Sequence, residues 1–389
     1  MNGAFERLAG PSAERAHTLF FVETAALWGG PQKRLFRLAR AWSARGHATA
    51  VAALRGDEHS PPEELACFGV AVFAPRAGGK ELLKSFRPRS ARAARALVAR
   101  LAPRLVFTME TLVDYHVRLG LLGSALPVVT LLGIDRWKWE EKLHRRLAMR
   151  VLARGPGAVV ANSARVLAGW GRVVGEARLE ARPHCVIPNP VDADEFEARF
   201  ERDARGPLVV GGLGRFQPQK GFDVLIDAFA RLPAELGGRA LVLRLQGHGP
   251  DEARLRAQVA ALGLERRVEF LAFSPRVQPF LHALDVLVVP SRWAGFENVA
   301  LEGVLCGTPT LCSTGAGLEL LQAHACFAPF EPEPAALARA LGELLERTSG
   351  ARADLAREQR ALVIHELDAA RIAARFEAFL LDRGLLERG

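Results

Sequence analysis

Residues 285–309 read DVLVVPSRWAGFENVALEGVLCGTP, and this stretch decides the fold. Asp285 opens a run of aliphatic and β-branched residues that Pro290 stops, the pattern of a short buried strand. A loop containing Gly295 follows. Asn298 to Cys306 then carries helical spacing, with Gly307 as its stop and Pro309 just beyond. Strand, loop and helix in that order place backbone N–H groups and the positive end of a helix at the mouth of a parallel sheet, where a phosphorylated ligand can dock. Glu302 falls one turn into the helix, where a carboxylate can accept hydrogen bonds from a ribose diol beside the phosphate.

The same alternation recurs on both sides of this stretch. Toward the N-terminus, Thr18 to Glu23, Ala48 to Leu54, Leu105 to Thr108, Val128 to Leu132 and Ala158 to Ala161 are predicted strands. Helical patterns at Gln32 to Arg45, Ser90 to Leu101 and Glu140 to Leu152 separate them. A segment rich in breakers, Ile187-Pro188-Asn189-Pro190-Val191-Asp192, then opens a polar stretch that runs to Gly206. Alternation resumes with predicted strands at Leu208 to Leu213, Leu241 to Gln246, Val268 to Ala272, Asp285 to Val289, Thr310 to Cys312 and Ala325 to Ala328. Helices are expected at Phe222 to Leu232, Asp251 to Leu262, Val277 to Ala283, Asn298 to Cys306 and Ala335 to Arg347, and the C-terminal residues read as one long amphipathic helix with apolar Ile372, Phe376 and Phe379. Strands alternating with helices imply doubly wound parallel sheets. The expected division is a flexible leader at 1–16, a Rossmann-like domain at 17–187, a linker at 188–206, a second Rossmann-like domain at 207–364, and a terminal helix at 365–389.

Composition bounds the rest. The chain has 389 residues, 49% hydrophobic and 24% charged, ordinary values for a globular protein and enough for two α/β domains. No apolar run reaches the roughly 18 residues of a spanning helix, and the N-terminus lacks a secretory pattern. Five cysteines (Cys67, Cys185, Cys306, Cys312, Cys326) show no CxxC pair and suit reduced, mostly buried thiols. A cytoplasmic location follows as the expectation. Residues 1–190 carry 29 Lys and Arg against 15 Asp and Glu, whereas residues 191–389 carry 23 against 28. The basic half suits an anionic partner, a membrane surface or a phosphorylated acceptor, or else is decorated with solvated arginines. Trp139, Leu143, Leu147 and Val151 share one helical face near Arg145, Arg146 and Arg150, which suits either peripheral membrane attachment or packing on the first sheet.

Further motifs stand at predicted strand ends. Gly214-Arg215-Phe216-Gln217-Pro218-Gln219-Lys220-Gly221 follows the first strand of the second domain, Gly247-His248-Gly249-Pro250 ends the next, and Trp28-Gly29-Gly30-Pro31-Gln32 precedes the first helix. Together with the opening stretch they resemble family-4 glycosyltransferases, which have the GT-B fold. Pro290, Ser291, Gly295, Phe296, Asn298, Val299, Glu302, Cys306, Gly307 and Pro309 match that family's pattern. Ala294 stands where the pattern has its first Glu, and Phe107-Thr108-Met109-Glu110 stands where a His pair is usual.

The resemblance implies two Rossmann-like doubly wound domains facing across a cleft, with the terminal helix crossing back to the first. It implies a retaining transfer of sugar from a nucleotide-diphosphate sugar to a hydroxyl of a glycan or glycolipid, in cell-surface polysaccharide or lipopolysaccharide synthesis, with no cofactor and no bound metal. Arg215 and Lys220 would grip the diphosphate, where fixed cations stabilise the charge on a departing group, and Glu302 would hold the ribose. Gly29, Gly30, Gly214, Gly247, Gly249, Phe273, Gly295, Phe296, Glu297, Asn298 and Val299 would line the donor, and Asp114 and His116 are the acceptor-side candidates. Asp192-Ala193-Asp194 has the form of a metal motif, but its place in the linker argues against that role.

The rival readings are a non-catalytic family member that binds donor or partner without turnover, motivated by Ala294, and a sugar-nucleotide epimerase, against which the 290–309 motif speaks. A nucleic-acid binder has only charge in its favour, and a dehydrogenase lacks GxGxxG after the first strand.

Overall fold

The computed structural model describes residues 5–25, 30–55, 60–75, 88–133, 150, 155–202 and 205–387. The expected helix at Glu140 to Leu152, with its aromatic and arginine-rich face, lies outside them but for Arg150. The chain forms two compact units: residues 1–190 with 369–389, and residues 191–368.

The first unit holds strands β1 (Phe5–Ala9), β2 (Thr18–Val22), β3 (Thr49–Ala53), β4 (Ala71–Pro75), β5 (Leu105–Met109), β6 (Val128–Leu132), β7 (Gly157–Ala161) and β8 (His184–Val186). They lie in the order β1-β4-β3-β2-β5-β6-β7-β8, parallel throughout except where β1 runs antiparallel to β4. Chain order reverses direction between β2 and β5, the switch point at which such sheets open a crevice beyond their carboxyl ends. Strands β2 to β7 are buried at every position because helices cover both faces, which is why they read as continuous apolar runs rather than alternating ones. Strand β1 corrects the expectation of a flexible leader. Phe5 and Ala9 are buried while Glu6 and Arg7 are exposed, so a half-polar edge strand occupies part of it.

The second unit holds β9 (Leu208–Leu213), β10 (Glu235–Leu236), β11 (Arg239–Gln246), β12 (Val268–Leu271), β13 (Val286–Val289) and β14 (Thr310–Cys312). Strands β9, β13 and β12 flank or extend β11 in parallel, β14 continues beyond β13, and β10 pairs antiparallel with the start of β11. Phe222, Leu225, Ile226 and Phe229 recur at helical spacing on the helix Phe222–Ala230 and pack with Leu337, Leu341 and Leu344 of the helix Pro334–Glu346 over Leu241, Leu243 and Leu245. Each such fully buried side chain contributes roughly 1.5–3 kcal/mol relative to exposure. The strand expected at Ala325 to Ala328 is a 3-10 turn, Ala325–Phe327, because the pairing falls to a single bridge between Ser313 and Phe330.

The long C-terminal helix expected from periodicity is two helices, Ser349–Leu367 and Ala369–Asp382, broken where Asp368 adopts φ −49, ψ 136. Leu367 spends its carbonyl on the amide of Val191, at 2.8 Å. The second of these helices belongs to the first unit and packs on the helix Gly30–Ala44. Phe376 lies edge-on to Phe107, ring centres 6.0 Å apart, and the Glu377 carboxylate takes hydrogen bonds from Arg45 and from His47 at 2.9 Å.

Candidate functional site

Three loops leave the carboxyl ends of β9, β11 and β13: Gly214 to Gly221, Gly247 to Pro250 and Pro290 to Glu297. Their close approach depends on glycine. Gly221 has φ +67, and a β-carbon there would lie 2.1 Å from the Pro290 carbonyl oxygen. A β-carbon on Gly247 would lie 1.9 Å from the Gly214 carbonyl oxygen. Polar bonds then stitch the loops together. The Phe216 amide donates to His248 O at 2.8 Å, the Arg292 amide to Gln219 O at 2.8 Å, and the Gln219 side chain to Trp293 O at 2.9 Å. Arg292 forks onto Asp223 at 2.7 and 2.8 Å. Burial alone would raise the Asp223 carboxyl, but the Arg292 pair overrides it and holds the group below its ordinary value.

Lys220 stands among these loops, yet its ammonium is engaged. Both Glu297 carboxylate oxygens accept from Lys220 Nζ at 2.7 Å, and Ser291 Oγ donates to the same carboxylate at 2.6 Å. Glu297 is buried and precedes the helix Asn298–Leu305 without capping it, so its carboxylate is committed to Lys220 and Ser291. The motif reading assigned Lys220 to a diphosphate and missed this pair, whose members stand 77 residues apart. Arg215, by contrast, is exposed and makes no hydrogen bond or ion pair among the described residues. Glu302 is buried on the helix Asn298–Leu305, and Ala294, Gly295 and Asn298 stand in or just after the loop before it.

Phe273 is half exposed and lies edge-on to His248, ring centres 5.3 Å apart, beyond the ends of β11 and β12. The Gln246 amide donates to Ala272 O at 3.1 Å. Nearby, a cavity of about 510 Å³ is lined by Arg244, Gln246, Leu271, Ser274, Arg276 and Phe280, within the size range of small-ligand sites. The Cys306 thiol is pushed up to about 12, first by burial and then by Glu302, so it is an inert packing group.

In the first unit, Gly30 opens the helix Gly30–Ala44, and Gly29 lies outside the described residues. Asp114 and His116, the acceptor-side candidates, fall on the helix Thr111–Gly120, which the sequence reading did not foresee, and both are buried. Asp114 Oδ1 accepts from Thr108 Oγ1 (2.7 Å), Thr130 Oγ1 (2.8 Å) and Arg118 Nε (2.9 Å), at 1% exposure. Its carboxylate is spent inside the fold. His116 is fully buried, both ring nitrogens lack a hydrogen-bond partner among the described residues, and burial pushes its pKa down to about 4. In the linker, Asp192 Oδ1 accepts from the Asp194 amide at 3.1 Å, capping its own turn. Among the described residues no group of three or more His, Cys, Asp or Glu is placed to hold a metal ion, and no helix is long and apolar enough to cross a membrane.

Two parallel-sheet units, the second with glycine-dependent loops and a helix start at its strand ends, define the class of GT-B glycosyltransferases. The comparisons agree. Residues 28–195 match the model described as Glycosyltransferase Family 4, and residues 207–347 match Glycosyl transferases group 1. The chain belongs to the family-4 glycosyltransferases. It is 29% identical over 194 residues to the 2-deoxystreptamine glucosyltransferase of Streptomyces kanamyceticus, covering 49% of this chain and 47% of that protein. It is 32% identical over 184 residues to the lipopolysaccharide core biosynthesis mannosyltransferase LpsB of Rhizobium meliloti, covering 44% and 50%. The chain thus spans about half the length of these curated relatives. Anabaena HepE in complex with UDP superposes with a TM-score of 0.73 at 20% identity, over 94% of this chain and 99% of that one, which shows the shared fold.

Proposed function

We propose that this protein is a retaining, metal-independent glycosyltransferase that moves a sugar from a nucleotide-diphosphate sugar to a hydroxyl of a glycan or glycolipid in cell-surface polysaccharide or lipopolysaccharide synthesis. The observation that carries the reading is the set of loops at the ends of β9, β11 and β13, with Arg215 exposed and unpaired among the described residues, Lys220 close to it in sequence, and Glu302 on the helix that follows. Arg215 and Lys220 meet the diphosphate, Glu302 the ribose, and the Gly295 to Val299 segment the phosphate and sugar. Gly30, Gly214, Gly247, Gly249 and Phe273 belong to the same donor assignment. Cations fixed before reaction stabilise charge as it builds on the leaving diphosphate. That diphosphate then helps to deprotonate the acceptor on the same face. Supporting the donor class, HepE is described in complex with UDP and with UDP-glucose. Supporting the pathway, LpsB acts in lipopolysaccharide core biosynthesis. The basic charge of residues 1–190 supports peripheral attachment to an anionic membrane face.

A second reading has a specific observation behind it. Ala294 removes a carboxylate from the family pattern, and Glu297 occupies Lys220. A chain of this kind binds donor or partner without turnover. The test is thermal stabilisation by a panel of nucleoside diphosphates and their sugars in EDTA, followed by donor hydrolysis. Ligand binding to the native state raises the melting temperature by mass action. Stabilisation with turnover supports the transferase, stabilisation without turnover supports the donor binder, and no stabilisation by any nucleotide refutes the transferase and points to a member that binds only a partner.

A further inference from the structure

The first unit carries a polar cluster at its sheet's switch point that includes Glu110, the last residue of the Phe107–Glu110 segment standing where a His pair is usual. Glu110 follows β5, Gly133 follows β6 and Asn162 follows β7, while Arg34 reaches them from the helix after β2. Glu110 sits at φ 68, ψ 160, a region nearly reserved for glycine. Holding a side chain there costs about 1–3 kcal/mol, and such strain collects at binding and active sites. Arg34 is 2% exposed and spends Nη1 on the Leu132 carbonyl at 2.8 Å, but its buried Nε and Nη2 have no hydrogen-bond partner among the described residues. Asn162 is 3% exposed and its Oδ1 likewise has none among the described residues. Three of these side chains converge on Gly133. A β-carbon there would meet Glu110 Oε1 at 2.9 Å, Asn162 Nδ2 at 3.3 Å and Arg34 Nη1 at 3.5 Å.

Buried donors and acceptors without partners are costly, typically about 1–3 kcal/mol each, so a ligand that satisfies them recovers that free energy on binding. Its chemistry follows from the groups left over. Arg34 offers the N–H groups of Nε and Nη2 and Asn162 offers a carbonyl acceptor, and a hydroxyl can both accept and donate. An anion can accept from Arg34 but has no proton for Asn162 Oδ1, and it would face the Glu110 carboxylate. Burial pushes the Arg34 guanidinium down to about 10 against the opposing pull of Glu110, so the positive charge is already countered inside the cluster.

We infer that Arg34, Glu110, Gly133 and Asn162 form a cradle for the hydroxyls of an uncharged sugar ring, and that this cradle, not Asp114 or His116, selects the sugar in the first unit. Read within the proposed transfer, the ring belongs either to the acceptor or to the donor's sugar. The cradle selects against a ring phosphorylated where it enters, despite the basic charge of this half of the chain.

The test titrates the full-length protein with methyl α-glucoside, methyl α-mannoside, methyl α-galactoside, glucose 6-phosphate, UDP and UDP-glucose, with ligand-observed NMR as the readout. Gly133 has no positive φ, so Gly133→Ala adds only the β-carbon that fills the cradle. At least one neutral glycoside should bind the wild-type chain, more tightly than glucose 6-phosphate, and Gly133→Ala should weaken it by about tenfold or more. Weakening confined to the methyl glycosides assigns the ring to the acceptor. Weakening of UDP-glucose with UDP unchanged assigns it to the donor. Asn162→Ser carries the same comparison if Gly133→Ala fails to fold. Preference for glucose 6-phosphate, equal binding by wild type and variants, or UDP binding without any glycoside or UDP-glucose effect overturns the cradle. Glycoside binding without any nucleotide binding leaves the cradle standing and sinks the transferase reading instead.

Discussion

Replacing Asp114 with alanine separates an internal role from an acceptor role in one measurement. The Asp114 carboxylate accepts from Thr108, Thr130 and Arg118 at 2.7–3.0 Å, with Asp114 at 1% and Arg118 at 6% exposure. Arg118 also donates through Nη2 to the Val128 carbonyl at 2.9 Å, tying the helix Thr111–Gly120 to β6. In Asp114→Ala this guanidinium stays buried without its counter-charge. Breaking a buried pair on one side costs about 3–5 kcal/mol. In a unit of this size each kcal/mol lowers the melting temperature by roughly 2–4 °C, so a drop of about 6–20 °C is expected. Differential scanning calorimetry reads this directly. Asp114→Leu with Arg118→Met removes both charges together and should recover most of the loss, since an apolar replacement of a buried pair is often neutral. UDP affinity should be unchanged in both variants, because the nucleotide site is assigned to the other unit. A melting temperature within about 1 °C of wild type for Asp114→Ala, together with lost transfer, would refute the internal role and return Asp114 to the acceptor.

Three further outcomes are expected. Arg215→Ala and Lys220→Ala should each lower donor turnover at least tenfold in EDTA, the scale of a lost charge-stabilising contact; unchanged turnover would remove both from the diphosphate. Glu297→Gln keeps a hydrogen-bonding side chain but releases Lys220 from its carboxylate, so UDP should bind about tenfold tighter by calorimetry, and weaker binding would mean that Glu297 positions Lys220 rather than competing for it. His116 has a folded pKa of about 4 against an ordinary 6.5, so between those values the unfolded chain takes up a proton that the folded chain refuses. Stability is therefore full above about pH 6.5 and falls as pH drops toward 4, by up to about 3 kcal/mol. His116→Phe should flatten that part of the melting-temperature profile, and an unaltered profile would show that other groups produce it.

The alternation of strands and helices was legible because β2 to β7 are covered on both faces and so read as continuous apolar runs. Strand β1 was not, because Glu6 and Arg7 face solvent between Phe5 and Ala9. The helix Thr111–Gly120 hides for a different reason: Asp114, His116 and Arg118 are polar yet buried, satisfied by Thr108 and Thr130 on neighbouring strands or held neutral. Polar letters at this spacing suggest an exposed segment, which is why the sequence offers Asp114 and His116 to an acceptor. In the second unit the loops at Gly214 to Gly221 and Pro290 to Glu297 were found by motif, since glycine spacing is local. The bond between Lys220 and Glu297 crosses 77 residues and leaves no local trace. Glu110 was equally silent, because a backbone angle cannot be read from a side chain's identity.

The division of the chain also sets an order of synthesis. The second unit is one continuous segment, Val191–Asp368, whose first and last residues meet in a parallel bridge. The first unit begins earlier but is completed later, since Phe376 against Phe107 and Glu377 against Arg45 and His47 arrive only with the final helix. A growing chain therefore finishes its second unit while the first still exposes the apolar face of the helix Gly30–Ala44. Domains fold as units as they emerge, and exposed apolar surface is where association begins. The ribosome-bound intermediate most in need of a chaperone is thus the half made first, and a stop codon just before Ala369 would leave that half permanently in this state.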